Sequence, residues 1–319
     1  MSIISKDISK AVTLLNTEEV VAIPTETVYG LAGNIYSEKA IKSIFETKQR
    51  PFFNPLIVHI PSLDEMENIV EYIPEKAKLL ADAFWPGPMT LVLKKKASIP
   101  DLITAGKDTV AVRIPNHALT LELLNQLDFP LAAPSANPFN RISPTKAEHV
   151  EAYFKDQINM VLDGGACEKG IESTIIGFDN DEPVIYRLGS TSIEAIESVV
   201  GSITIQNKKE KSPDAPGMLA RHYAPKTKTV LTDNLQKSIE NHKGKQIGVL
   251  LYNDILNDEQ INFKIVLSEE KNLEEAASKL YDALHQLDKQ DLDIIIAECL
   301  PDYGLGKSIN DRLNRATKN

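Results

Sequence analysis

Two α/β units in series, a mixed-sheet unit and then a small parallel β/α unit of Rossmann-like outline, are predicted here from three observations. From residue 1 to about 200, short β-rich runs alternate with helical stretches, as in a layered α/β fold. Residues 206–225 (QNKKEKSPDAPGMLARHYAP) are then polar, proline-bearing and without hydrophobic period, as in an interdomain linker. Beyond them the strand–helix alternation resumes. A length of 319 residues suits two domains better than one of about 150.

In order, residues 20–23, 56–60, 90–93, 109–114, 160–162 and 173–177 are the strand candidates of the first unit. Residues 37–47 and 64–84 read as helices. Ser37 and either Ser62 or Asp64 are placed to cap them, and Pro51 and Pro86 close them. In the second unit, strands at 229–231, 246–252, 263–267 and 293–299 alternate with helices near 234–242, 272–288 and 306–317. The expected division is 1–205, a linker at 206–228, and 229–319.

Composition narrows the function. With 42% hydrophobic and 25% charged residues the chain is an ordinary globular one, not disordered, collagenous or disulfide-stapled. Cys167 and Cys299 stand far apart with no C-x-x-C, no H-E-x-x-H and no His/Cys cluster at zinc spacing, so no metal site is expected. The start MSIISKDISK lacks the apolar core of a signal peptide, and no window reaches the ~18 apolar residues of a membrane span. A cytoplasmic location without membrane association is the expectation. Residues 1–207 hold 18 Lys+Arg against 27 Asp+Glu, and 208–319 hold 17 against 18. Neither half is a basic nucleic-acid arm, so a phosphate ligand has to be gripped by a local pocket.

The chemistry-bearing strings cluster in the first unit. Pro24 to Gly30 (PTETVYG) puts hydroxyls and a carboxylate at a strand's end, which suits a small polar ligand and equally a plain turn. Lys48 and Arg50 leave a helix that Pro51 terminates; two such cations grip phosphates, Arg by a fork and Lys as a point charge, or simply form a solvated helix end. Residues 133–138 (APSANP) allow close approach to the backbone, with Ser135, Asn137 and Ser143 offering neutral hydrogen bonds beside Arg141. Arg113 sits inside an apolar strand, where a charge needs a partner, either a substrate carboxylate or an internal ion pair. His59 ends an apolar run and reads as a core histidine or a ligand contact. Gly304 to Ser308 (GLGKS) resembles a phosphate loop, but Pro301 and Ile309 stand where the further glycines of such loops are needed, so a tight turn entering a helix is expected.

In this order PTETVYGL, KQRPFFNPLIVHI, FWPGPMTLVL, DTVAVRIP, APSANP, SPT and ESTI resemble the YrdC-type L-threonylcarbamoyladenylate synthases. The linker string SPDAPGMLARHYAP extends the resemblance to the long, two-domain form. It implies a YrdC-like twisted mixed-sheet catalytic domain. It also implies a reaction in which L-threonine, bicarbonate and ATP give threonylcarbamoyl-AMP and pyrophosphate, with Mg²⁺ accompanying ATP. A partner transferase complex then modifies adenosine 37 of ANN-decoding tRNAs, and tRNA contact by this chain itself is expected to be weak.

Carried over residue by residue, Lys48, Arg50, Ser135 and Asn137 are the catalytic set. Lys48, Arg50, Asn54, Thr109, Ser135, Ser143, Arg187 and Tyr223 contact ATP, and Thr27, His59, Arg113, Ala133 and Ser173 line the threonine pocket. The resemblance makes residues 206–228 a lid carrying Arg221, His222 and Tyr223 between Pro216, Gly217 and Pro225. Where much of the family reads Arg-Pro-Gly this chain reads Arg187-Leu188-Gly189, a less rigid loop. The competing reading is a non-catalytic double-stranded RNA or tRNA-binding module, and the acidic balance of residues 1–207 opposes it.

Overall fold

A computed structural model describes residues 3–206, 222–253, 256 and 258–318. The first unit's strands are β1 (Ile3–Ser5), β2 (Val21–Ile23), β3 (Gly30–Asn34), β4 (Ile57–His59), β5 (Met89–Lys94) and β6 (Thr109–Arg113). They continue with β7 (Leu131–Ala132), β8 (Met160–Leu162), β9 (Thr174–Asp179), β10 (Glu182–Arg187) and β11 (Thr204–Ile205). These form one mixed sheet in the order β1-β8-β2-β3-β7-β4-β6-β5-β9-β10-β11. The second unit's β12 (Thr229–Thr232), β13 (Ile247–Leu251), β14 (Ile261–Val266) and β15 (Ile294–Glu298) form an all-parallel sheet in the order β12-β15-β13-β14. The predicted α/β class and parallel second sheet are found.

Local rules account for the elements that place the site. The Glu38–Lys48 helix starts where the Ser37 hydroxyl accepts from the Ala40 N–H at 3.1 Å, and buries Ile41, Ile44 and Phe45 on one face. Gln49 ends it in the left-handed region at φ 52°, which swings Arg50 inward. Parallel β4 and β6 place His59 directly beside Arg113 at their C-terminal ends.

The expected 64–84 helix is two helices, Met66–Ile69 and Glu75–Phe84. Val70 leaves the helical path to bridge Lys95, and Pro74 starts the second helix because it has no N–H to continue the first. Neither Ser62 nor Asp64 caps the first; Glu65 stands there, its carboxylate accepting from Asn68 Nδ2 at 3.2 Å and capping no backbone N–H. The hairpin joining β9 and β10 turns on Asn180 and Asp181, at φ 50° and 66°, a two-residue turn signal absent from the expectations above.

The two units share an apolar seam. Val28, Ile142 and Ile171 pack with Tyr223, Leu280, Tyr281, Leu284, Ile309 and Leu313, all buried. Arg141 pairs with Asp288 at 3.2 Å, Lys146 with Asp282 at 2.8 Å, and Ser308 Oγ donates to the Gly189 carbonyl at 2.8 Å. Burying one large apolar side chain is worth about 1.5–3 kcal/mol, so a seam of this extent fixes the units against each other. The Gly304–Ser308 string is the expected tight turn entering a helix: Gly304, at φ 51°, is the turn, Leu305–Ser308 open the helix Leu305–Ala316, and a Cβ on Gly306 would lie 1.9 Å from the Pro301 carbonyl oxygen. No described helix is long and apolar enough to cross a membrane.

Candidate active site

A pocket opens along the sheet edge where β4 and β6 end and β9 begins. Its floor is the segment after β2. The Thr25 hydroxyl accepts from the Thr27 and Val28 N–H groups at 3.1 and 3.2 Å and donates to the Val28 carbonyl at 2.7 Å, so the turn is tied by its own side chain. Gly30 lets the 133–136 loop lie against it, since a Cβ there would stand 3.1 Å from that of Ala133. Ala136 N–H donates to the Tyr29 carbonyl at 2.7 Å, which presents Ser135 to the pocket.

One side of the site is built of buried cations. Lys48 Nζ donates to the Ser135 and Asn137 carbonyls, and burial, then Arg50, hold it well below the usual ammonium range. Arg50 donates to the Asn54 carbonyl at 3.2 Å and the Pro55 carbonyl at 2.8 Å; burial and then Arg187 push it down to about 9, still charged at neutral pH. Arg187 grips the Ser173 carbonyl at 2.8 Å and its hydroxyl at 3.1 Å, which fixes it without the proline that much of the family has at position 188. His222, facing Arg50, Lys48 and Arg187, is held well below its ordinary value, chiefly by burial, and is neutral. An incoming polyanion would relieve this crowding of like charge.

The other side is smaller and largely neutral. His59 is pushed down to about 3 by burial and Arg113, so its imidazole is uncharged. Ser173 Oγ lies 2.8 Å from Thr90 Oγ1, and Thr27 Oγ1 lies 2.8 Å from Thr25 Oγ1. Arg113 Nε donates to the Gly87 carbonyl at 3.2 Å, and its Nη2 stands 2.7 Å from Oε2 of buried Glu26. Of the two partners left open for Arg113 in the sequence, the internal carboxylate is present.

Of the expected residues, Thr27, Arg50, His59, Arg113, Ala133, Ser135, Ser173, Arg187 and Tyr223 line this one pocket. Lys48 and Asn137 stand directly behind it. Asn137 Nδ2 holds the Pro138 and Arg141 carbonyls at 2.9 Å each, while its Oδ1 has no partner. Asn54 is fully buried with both amide atoms unpartnered, the state of a side chain that awaits a ligand. Ser143 donates to Glu172 at 2.6 Å and reaches the pocket only through it. Thr109 starts β6, at the end opposite Arg113, and does not line the pocket. Arg221, Pro216 and Gly217 lie outside the described residues, and Pro225 is buried but does not line the pocket.

Four participants are missing from the expected set: Glu26, Glu172, Tyr281 and Arg312. Glu172 Oε2 accepts from Tyr281 OH at 2.8 Å and Arg312 Nε at 3.2 Å. A signal for Arg312 exists in the sequence, because it falls on the same helical stripe as Leu305, Ile309 and Leu313, where a charge has to find a buried partner. The expected Mg²⁺ finds no resident site. The described residues include no group of three or more His, Cys, Asp or Glu side chains placed for a metal, and both pocket carboxylates are engaged by Arg. Mg²⁺ binding through substrate phosphates needs no such cage.

A pocket that sets buried guanidinium groups opposite neutral hydroxyls, at the end of a mixed sheet, defines an α/β protein whose site suits a small polyanion beside a second polar molecule. Residues 13–189 match the family described as Telomere recombination, and residues 191–317 match the family described as Threonylcarbamoyl-AMP synthase, C-terminal domain. The chain is 41% identical over 313 residues to the threonylcarbamoyl-AMP synthase of Pyrococcus abyssi, covering 94% of this chain and 90% of that one. It is 40% identical over 319 residues to that of Bacillus subtilis, covering 97% and 92%. The crystal structure of P. abyssi Sua5 complexed with L-threonine superposes with a TM-score of 0.92 at 38% identity, over 99% of this chain and 97% of that one. The chain belongs to the threonylcarbamoyl-AMP synthase family, in its two-domain form.

Proposed function

We propose that this pocket carries out the family's reaction with the roles divided along its two sides. Threonine's amine and bicarbonate give N-carboxythreonine and water; a carboxylate oxygen then bonds to the α-phosphorus of ATP as the bond to pyrophosphate breaks. The products are threonylcarbamoyl-AMP and pyrophosphate, and no side chain becomes covalently attached.

Lys48, Arg50 and Arg187, with Ser135, Asn137 and Asn54, take the triphosphate side, with Ser143 at its margin; Thr109, at the far end of β6, is left out of it. Thr27, His59, Arg113, Ala133 and Ser173 take threonine. Catalysis then rests on alignment, worth up to ~7–11 kcal/mol, and on fixed positive charge where the phosphoryl group moves. The observation that carries this reading is the charge count. Lys48, Arg50 and Arg187 are buried together on this side, where Glu172, already held by Arg312, is the buried carboxylate of the lining; Arg113 is matched by Glu26, and Arg312 and Arg315 by Asp311. Such an excess, removed from water, is stable only when an anion completes it.

Of the expected lid, 206–228, residues 207–221 lie outside the described residues, and its described part, from His222 on, meets the pocket. His222 and Tyr223 sit in the pocket wall, placed to keep water from a labile mixed anhydride. A separate transferase complex then moves the threonylcarbamoyl group to adenosine 37 of tRNA, and any tRNA contact by this chain is secondary. A non-catalytic RNA-binding module is disfavoured because the cations are buried instead of lining an exposed face. Pyrophosphate release from ATP should require both L-threonine and bicarbonate. Release that ignores either omission would overturn the assignment.

A further inference from the structure

A carboxylate in a phosphate site repels the ligand, yet Glu172 lines this pocket and is buried. All its partners turn it aside. Oε1 accepts from Ser143 Oγ at 2.6 Å, and Oε2 accepts from Tyr281 OH at 2.8 Å and from Arg312 Nε at 3.2 Å. Burial works to raise the Glu172 carboxyl, but Arg312, Arg187 and the Ser143 hydroxyl outweigh it and leave it below the ordinary carboxylate range.

Arg312 has no exposed surface. Its guanidinium carbon also lies 5.2 Å from the centre of the Tyr223 ring, which stacks on Tyr281 at 5.7 Å, and the Arg315 carbonyl on the same helix accepts from the His222 N–H at 3.4 Å. One helix of the small domain therefore holds a carboxylate of the catalytic domain with the edge of the Arg312 guanidinium and a pocket-wall tyrosine with its face.

We propose that Arg312, with Tyr281, is a positioning residue for the nucleotide side of the site: it draws the Glu172 charge away from the triphosphate, and through Glu172 and Tyr223 it fixes Ser143 and the pocket wall. The small domain thereby completes the site as well as covering it. The proposal rests on the functional reading above and deepens it. Arg312 touches no substrate in it, so its loss should appear in ATP use and not in threonine use.

The test measures pyrophosphate release against ATP and against L-threonine for the full chain, Arg312→Lys and Tyr281→Phe, with thermal unfolding of each. Lysine keeps the charge but lacks the planar guanidinium whose Nε meets Glu172, whose Nη1 meets Asp311 at 3.2 Å and whose face lies over Tyr223. Arg312→Lys should raise the KM for ATP about tenfold or more while the KM for threonine stays within about twofold, a differential of about one charge-assisted contact. Tyr281→Phe keeps the ring stack and removes one donor to Glu172, so it should give a smaller shift of the same kind, readable even if Arg312→Lys does not fold. With Ser143→Ala added, the ATP effects of Arg312→Lys should be less than additive. If the wild-type chain shows threonine- and bicarbonate-dependent turnover but the variants keep the ATP KM, or change both KM values alike, the positioning role is wrong. If the wild-type chain shows no such turnover, the functional reading itself fails.

Discussion

Arg113 Nη2 lies 2.7 Å from Glu26 Oε2 at the pocket floor, with both side chains almost free of solvent. Arg113 is thus already neutralised before any substrate arrives, and a carboxylate that comes to it has to share or displace Glu26. Removing one member of a buried pair costs about 3–5 kcal/mol, because the other charge is left uncompensated. Glu26→Gln should therefore lower the unfolding midpoint markedly. If Arg113 receives the threonine carboxylate, added threonine should stabilise the variant more than wild type in a thermal-shift titration. An equal or smaller shift would remove Arg113 from that role.

Arg50 meets the backbone of residues 54 and 55 and faces Arg187 across the cation cluster. Arg50→Ala should weaken ATP binding by about 10- to 100-fold, the value of one or two charge-assisted hydrogen bonds, while the fold persists. Calorimetry that finds wild-type ATP affinity would count against the phosphate side of the site.

Tyr223 separates structural from ligand contributions. Its ring is packed in the interdomain seam, but its hydroxyl is buried with no partner. Tyr223→Phe keeps the packing and deletes only that oxygen, so stability should be unchanged or slightly higher. The ATP KM should rise several-fold, as expected when one hydrogen bond of about 1 kcal/mol is lost. A fall in stability without a change in KM would give the hydroxyl a purely structural role.

Acid should destabilise the protein well before its exposed carboxylates titrate. His59 and His285 are both pushed down to about 3, by burial first and then by Arg113 and His149 respectively. The unfolded chain takes up their protons near pH 6.5, so their contribution to stability is present above that value and is lost as pH falls toward 3. At pH 5 the loss is about 2 kcal/mol for each. Glu172 and Asp282, both held below the usual carboxylate range, add losses of the same sign at lower pH. Urea midpoints between pH 7 and 5 check this, and His285→Gln should flatten the profile; a midpoint independent of pH would contradict the assigned burial.

Much of the fold was legible in local sequence because local rules built it. Ser37 caps its helix as read, the strands of the small domain fall within a residue or two of their apolar runs, and Gly304 turns the chain into its last helix. The short strands β1, β7 and β11 were not legible, since two or three residues carry no alternation and only their neighbours make them strands. Pro74 was visible, but its effect within 64–84 was outweighed by helical composition on either side.

The sequence by itself determined the chemistry available to this protein: which cations, hydroxyls and amides stand near strand ends, and in what order along the chain. Only the tertiary structure decided how they are shared, pairing Arg113 with Glu26, tying Ser143 to Glu172, and bringing Arg312 across from the other domain. The physical reason is distance along the chain. Glu172 and Arg312 are 140 residues apart, and a contact of that separation is set by how two apolar seams pack, which no local pattern encodes.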